Sequence, residues 1–211
     1  MPPALDWAEP LLAAAFTLWG SAVTWLEIVA FALSIWMVER NIRVDPLAWP
    51  LAIVASLLYA LLFAAHRLYG EAGLQVLFIV VGLWGWHQWL RGRGDDGSAL
   101  RVHRLPASGR WRAAALTLAG WPLLGLLLDQ ATDSDVPYFD ALPTIGSVAG
   151  QLLLGRKLIE NWMVWFSVNI VSVALFAWKG LWLTVLLYAI FAVLSWLGWR
   201  AWRRRLGPVW P

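Results

Sequence analysis

The chain has 211 residues, 61% of them hydrophobic and only 14% charged, where a soluble domain carries about 25% charged residues. That composition excludes a soluble globular protein, and the lack of any cysteine excludes disulfides, thiol catalysis and cysteine-ligated metals. The net charge of +3 does not mark a nucleic-acid binder, because the basic residues cluster beside apolar spans, where membrane topology accounts for them.

The first ten residues hold Asp6 and Glu9 but no Lys or Arg, unlike the start of a signal peptide. Residues 1–19 read as an N-terminal extracytoplasmic or interfacial segment, with 9–19 either opening the first helix early or lying along the interface. Seven apolar spans follow, at 20–38, 47–65, 71–90, 112–128, 139–154, 161–178 and 181–199. Most approach the roughly 20 residues that a helix needs to cross a hydrocarbon core of about 30 Å. Asp45-Pro46, Tyr69-Gly70, the glycine-rich stretch 92–97, Val136-Pro137 and Lys179-Gly180 supply the breaks. The fold class is all-α, a polytopic membrane protein.

Alternate connections of a seven-span chain lie on opposite sides. One set holds fourteen of the sixteen basic residues, including Arg40 and Arg43, the run from Arg91 to Arg112, Arg156 and Lys157, and Arg200 to Arg205. The other set holds Arg67 and Lys179 beside the acids Asp129, Asp133 and Asp135. The bias places the C-terminus in the cytoplasm and the N-terminus outside.

The two halves match at an ungapped offset of 113 residues. Trp49 falls on Trp162, Leu68 on Leu181 and Phe78 on Phe191, while Gly85-Trp86-x-x-Trp89-x-Arg91 falls on Gly198-Trp199-x-x-Trp202-x-Arg204. Glu27 falls on Asp140 and Ser34 on Ser147. The spacing makes 20–90 a first three-helix repeat, 91–130 a basic cytoplasmic loop and linker helix, 131–202 a second three-helix repeat and 203–211 a cytoplasmic tail. Repeats starting three and then four spans apart run in the same direction, so they are parallel. Repeated bundles of this kind are very often transporters, with substrate bound near the bilayer midplane between the repeats.

A charged group costs about 2.5–3.5 kcal/mol at mid-membrane, so polar residues inside spans need a reason. The fifth span carries Asp140, Thr144, Ser147 and Gln151 along one face. The sixth carries Trp162, Trp165 and Asn169 at helical spacing, with Asn161 at its entrance. Trp84 and Gln88 share a face of the third, and Thr24, Glu27 and Ser34 lie in or near the first. Indoles stack on flat rings and attract cations, and Asn and Gln offer both donor and acceptor. Together they suit a flat polar ring. The blander alternatives are helix–helix bonding for the amides, helix capping for Glu27 and Asp140, and interface anchoring for Trp86, Trp89, Trp199 and Trp202. His66, His87 and His103 have no metal-ligand spacing, so no catalytic group, metal or cofactor is expected.

Several runs resemble the PnuC-type vitamin transporters. They are Leu68-Tyr69, Gln75, Leu83-Trp84-Gly85-Trp86-His87-Gln88-Trp89-Leu90-Arg91-Gly92 and Ile159-Glu160-Asn161-Trp162-x-x-Trp165-x-x-x-Asn169. Lys179-Gly180-Leu181, Leu187-Tyr188, Phe191 and Gly198 are similar too, so the likeness covers residues 20–204. It implies a three-plus-one-plus-three fold akin to the SWEET sugar transporters, a homotrimer, and ligand contacts from Trp162, Trp165, Asn169 and Gln88. Family members often have Tyr in place of Trp84 and another aromatic in place of His87. The implied substrate is nicotinamide riboside, or thiamine or riboflavin as in related members. It would cross the bacterial inner membrane by facilitated diffusion and be trapped by a separate cytoplasmic kinase. No Gly-x-x-x-x-Gly-Lys-[Ser/Thr] loop is present to bind ATP. Trp49, the repeat counterpart of Trp162, joins the candidate site. An integral-membrane enzyme acting on lipid is the rival of another class, but Glu27 and Asp140 have no histidine partner within the spans. A ligand-free structural subunit is the third reading.

Overall fold

The computed structural model describes residues 10, 13–18, 21–65, 69–94, 97–131, 136–178 and 182–206. The Leu68/Leu181 match, His66, Arg67, Lys179, Asp133, Asp135 and most of segment 1–19 lie outside these residues. Seven helices are described: α1 (Trp25–Arg43), α2 (Ala48–Ala65), α3 (Tyr69–Arg91), α4 (Ala107–Ala131), α5 (Pro137–Gly155), α6 (Glu160–Trp178) and α7 (Trp182–Arg203). All seven expected spans coincide with these helices to within five residues at either end. By length and composition, Ala107–Gln130, Glu160–Trp178 and Val185–Arg203 are each long and apolar enough to cross a bilayer. The chain is a polytopic helical membrane protein. It forms two compact units, Met1–Trp86 and His87–Pro211.

The entry to the first unit departs from the all-α expectation. Strands β1 (Ala14–Leu18) and β2 (Ser21–Thr24) pair antiparallel, so residues 21–24 do not begin a helix. Thr24 starts α1 instead. Its hydroxyl accepts from the Glu27 N–H at 3.2 Å, and the Glu27 carboxylate accepts from the Thr24 N–H at 2.7 Å. This reciprocal Thr-x-x-Glu cap satisfies two backbone donors that the helix leaves free, and it moves the start five residues past the expected position.

Each unit contains a tight elbow between two helices, α1–α2 in the first and α5–α6 in the second. Val44 sits at φ 62 and Lys157 at φ 53, both in the left-handed region. These are uncommon for non-glycine residues and unusual above all for a β-branched one. The bonding repeats at the same spacing. Val44 N–H donates to Asn41 O at 3.0 Å, and Lys157 N–H to Leu154 O at 2.9 Å. Asp45 N–H donates to Arg40 O at 2.9 Å, and Leu158 N–H to Leu153 O at 3.0 Å. Trp49 N–H reaches Pro46 O at 3.1 Å, and Trp162 N–H reaches Ile159 O at 3.2 Å.

The side chains that follow repeat as well. Trp49 and Trp162 are both buried, and each indole lies flat against a glycine. A β-carbon at Gly85 would come within 2.2 Å of the Trp49 ring, and one at Gly198 within 2.5 Å of the Trp162 ring. Only glycine permits such an approach. Ser34 and Ser147 complete the match, bonding the carbonyls of Ala30 and Pro143 at 2.8 and 2.7 Å.

Within the second unit α4 packs on α5, α5 on α6 and α6 on α7, and in the first α1 packs on α2. Much of the outer surface is apolar, with Leu116, Leu123 and Trp111 all more than two-thirds exposed on α4. Such a surface suits lipid rather than water.

Gly85→Ala should lower the melting temperature of the detergent-purified protein, because overpacking a close contact costs about 1–3 kcal/mol. Adding Trp49→Phe, which shortens the ring facing the new methyl group, should recover part of the loss.

Candidate functional site

The second unit gathers most of the polar residues singled out in the sequence. Helix α5 presents Gly146 and Gly150 to α6. A β-carbon at Gly146 would meet the Val168 side chain at 2.6 Å, and one at Gly150 would meet the Trp165 indole at 3.0 Å. A small-x-x-x-small stripe of this kind lets membrane helices approach closely, and here it seats Trp165. The next residue, Gln151, is buried. One turn beyond Trp165 stands Asn169, also buried, whose Nδ2 donates to Ser195 Oγ of α7 at 3.2 Å.

Asn161 and Trp162 open α6 from the elbow. Asn161 is fully buried and its Nδ2 donates to Leu158 O at 2.6 Å, bracing the turn. Asn161 Oδ1 and Trp162 Nε1 are buried without a hydrogen-bond partner among the described residues. An unsatisfied buried polar group costs about 1–3 kcal/mol. Two of them side by side on the α6 entrance are a feature that a ligand or a bridging water would relieve.

Trp89 and Trp202 do not have the interface role expected of them. Trp202 is fully buried, edge-on to Trp162 with centroids 5.5 Å apart, and Trp89 packs against it at 6.2 Å. Trp89 Nε1 donates to Leu154 O at 3.0 Å, a carbonyl at the end of α5. These indoles are the core beneath the elbow. The other pair keeps an outward aspect: Trp86 is 36% exposed, and Trp199 is half-buried with the Arg203 guanidinium 5.2 Å from its ring centre.

The remaining candidates are placed differently. Gln88 is half-buried near the end of α3, its Oε1 folded toward Gly92. Asp140 lies in the first turn of α5, and the Thr144 hydroxyl bonds its carbonyl at 2.9 Å. Glu27, Trp49 and Trp84 belong to the first unit. Glu27 is engaged as the α1 cap, Trp49 as the wedge on Gly85, and Trp84 is half-buried on α3.

The elbow of the second unit is tied to residues 100–105. The Lys157 amino group donates to Leu100 O at 3.0 Å and lies 5.0 Å over the Trp89 ring. His103 N–H donates to Lys157 O and Ile159 N–H to His103 O, at 3.2 and 3.0 Å. The Glu160 carboxylate accepts from Leu105 N–H at 3.2 Å. Burial pushes the Lys157 amine below its usual range, since desolvation disfavours the charged form. Among the described residues the first elbow has no such strap. It closes on itself through Arg40–Asp45 at 3.0 Å, and the Leu47 N–H and the Arg40 guanidinium hold the Asp45 carboxyl below its usual range. Gly146, Gly150, Lys157 and Ser195 were not singled out in the sequence; the glycine spacing was the one signal that pointed to any of them.

The family model for the nicotinamide mononucleotide transporter matches residues 24–204. The chain belongs to that family. It is a family of transporters rather than enzymes, and it takes in the PnuC-type proteins. The chain is 26% identical over 157 residues to the nicotinamide riboside transporter PnuC of Escherichia coli, covering 63% of this chain and 66% of that relative's length. It is 29% identical over 165 residues to the riboflavin/roseoflavin transporter RibM of Streptomyces davaonensis, covering 76% of both. A crystal structure of the vitamin B3 transporter PnuC shares the fold, with a TM-score of 0.69 at 22% identity over 85% of this chain and 81% of that one.

Replacing Lys157 with Met keeps an unbranched stem but removes the amine that lies over Trp89 and bonds Leu100. A hydrogen bond from a charged donor contributes about 1.5–3 kcal/mol, so trypsin should cut at Arg101 and Arg104 at least about 10-fold faster in K157M. Timed digestion in detergent measures this.

Proposed function

We propose that the chain is an inner-membrane transporter for nicotinamide riboside or a close vitamin relative. The observation that carries this reading is the row of groups on α6 and its neighbours. Trp165 is seated on Gly150, Asn169 is held by Ser195, and Trp162 keeps a buried N–H with no partner among the described residues. Such a site offers an indole face to a flat ring and separate hydrogen-bonding atoms to its edges. Gln88 would reach a polar edge of the same ligand. The names of the relatives support a ribosylated vitamin, and the riboflavin/roseoflavin transporter keeps a larger ring within the candidate class.

The architecture in this proposal is two parallel triplets, α1–α3 and α5–α7, joined by α4. The matched elbows and the matched Trp–Gly wedges support it. Access alternates as the triplets rock, moving substrate down its gradient, with a cytoplasmic kinase trapping it by phosphorylation. The placement of basic residues supports a cytoplasmic C-terminus. The exposed apolar faces are available to lipid and to the homotrimer that the family resemblance implies.

Titration calorimetry of the purified protein with nicotinamide riboside, thiamine and riboflavin should give one tight ligand. Trp165→Ala and Asn169→Ala should each weaken its binding by about 10-fold or more, while melting curves show that both variants still fold. Unchanged affinity in both would remove this site from the proposal, and no heat from any of the three vitamins would remove the substrate class.

A further inference from the structure

The direction in which Asn169 points is decided by a hydroxyl on another helix. Ser195 is buried, and its Oγ lies 2.8 Å from Phe191 O and 3.2 Å from the Asn169 amide. A serine hydroxyl has a single proton to give, while a carbonyl oxygen can only accept. The shorter of the two contacts takes the Ser195 proton to Phe191 O, and Oγ accepts from the Asn169 amide. The end of the Asn169 amide that faces it must be the nitrogen. The two ends of an amide are alike in shape, so hydrogen bonding is what distinguishes them. Here the 2.8 Å contact of Ser195 with Phe191 O sets the assignment. Oδ1 is turned away from Ser195, and no group among the described residues donates to it.

We infer that Ser195 is a specificity-positioning residue: acting through Asn169, it makes the site present an acceptor, and so selects a vitamin ring bearing a hydrogen-bond donor. A carboxamide supplies such a donor with its NH2, whereas a carboxylate at the same place brings only acceptors and a charge. The site would then discriminate between amide and acid forms of the same nucleoside, which are nearly equal in shape. The inference rests on the reading of Asn169 as a ligand contact and adds to it the chemistry demanded of the ligand. Without Ser195 the amide could turn over and offer its nitrogen, which a carboxylate accepts.

The test is the ratio of dissociation constants for nicotinamide riboside and nicotinic acid riboside, measured by titration calorimetry on wild type, Ser195→Ala and Ser195→Thr. Wild type should favour the amide by about 10–100-fold, the range expected when a buried polar group loses its partner. In S195A the ratio should fall to within about 3-fold of unity, mainly through tighter binding of the acid, with the melting temperature showing that the variant is folded. S195T keeps a hydroxyl at the same position and should keep the preference. A preference in S195A equal to that of wild type overturns the relay while leaving the transporter reading in place. Wild type that binds neither nucleoside overturns the reading of the site and the relay with it.

Discussion

An indole lying against bare backbone fixes the start of α2 on α3 and the start of α6 on α7. Trp162 reaches Gly198 because no side chain stands between them, and the elbow just before it sets the angle at which α6 leaves. The cost of that elbow is a lysine in left-handed backbone, a conformation that raises the energy of a non-glycine residue by about 1–3 kcal/mol. Burial of Trp162 against Trp202, and of Trp202 against Trp89, offsets it. Once α6 is anchored, Trp165 and Asn169 follow at helical intervals, and their positions are not independent choices. The candidate binding groups inherit their precision from a packing contact that need not touch the ligand.

The helices were legible because the apolar runs are long and their breaks carry Gly, Pro and charge. The beginning of α1 was missed although its signal was present. Thr24 and Glu27 stand at the capping-box spacing, but capping was one alternative for Glu27 alone, and the span was begun at residue 20. The hairpin before it was missed because an apolar run that short does not separate strand from helix by periodicity.

The tryptophans show where sequence reading reaches its limit. Trp86, Trp89, Trp199 and Trp202 all lie near arginines at helix ends, the setting in which indoles anchor to the membrane interface. What separates them is azimuth, and one residue of helix turns a side chain by about 100°. Trp89 and Trp202 face the elbow and are buried, while Trp86 and Trp199 face outward. The offset of 113 residues had paired Trp89 with Trp202, but pairing alone does not say which way the pair looks. Lys157 was concealed for a related reason. It lies within a basic set that topology explains, and only the fold shows its amine folded inward onto Leu100 and Trp89.

The two elbows, alike in backbone, are closed by different means, and this affects the order in which the polypeptide matures. Arg40 and Asp45 are five positions apart, so the first elbow is complete as soon as that stretch leaves the ribosome. The second needs Leu100 and Lys157, which are 57 positions apart, with the whole of α4 and α5 made in between. At bacterial elongation speeds of about 5–20 residues per second, the earlier strand waits several seconds for its partner. During that interval residues 101–105 lack their bonds to Lys157, Ile159 and Glu160, and Leu100 has its N–H bond to Gly92 O, so the insertion machinery must carry a half-tied segment until the later half arrives.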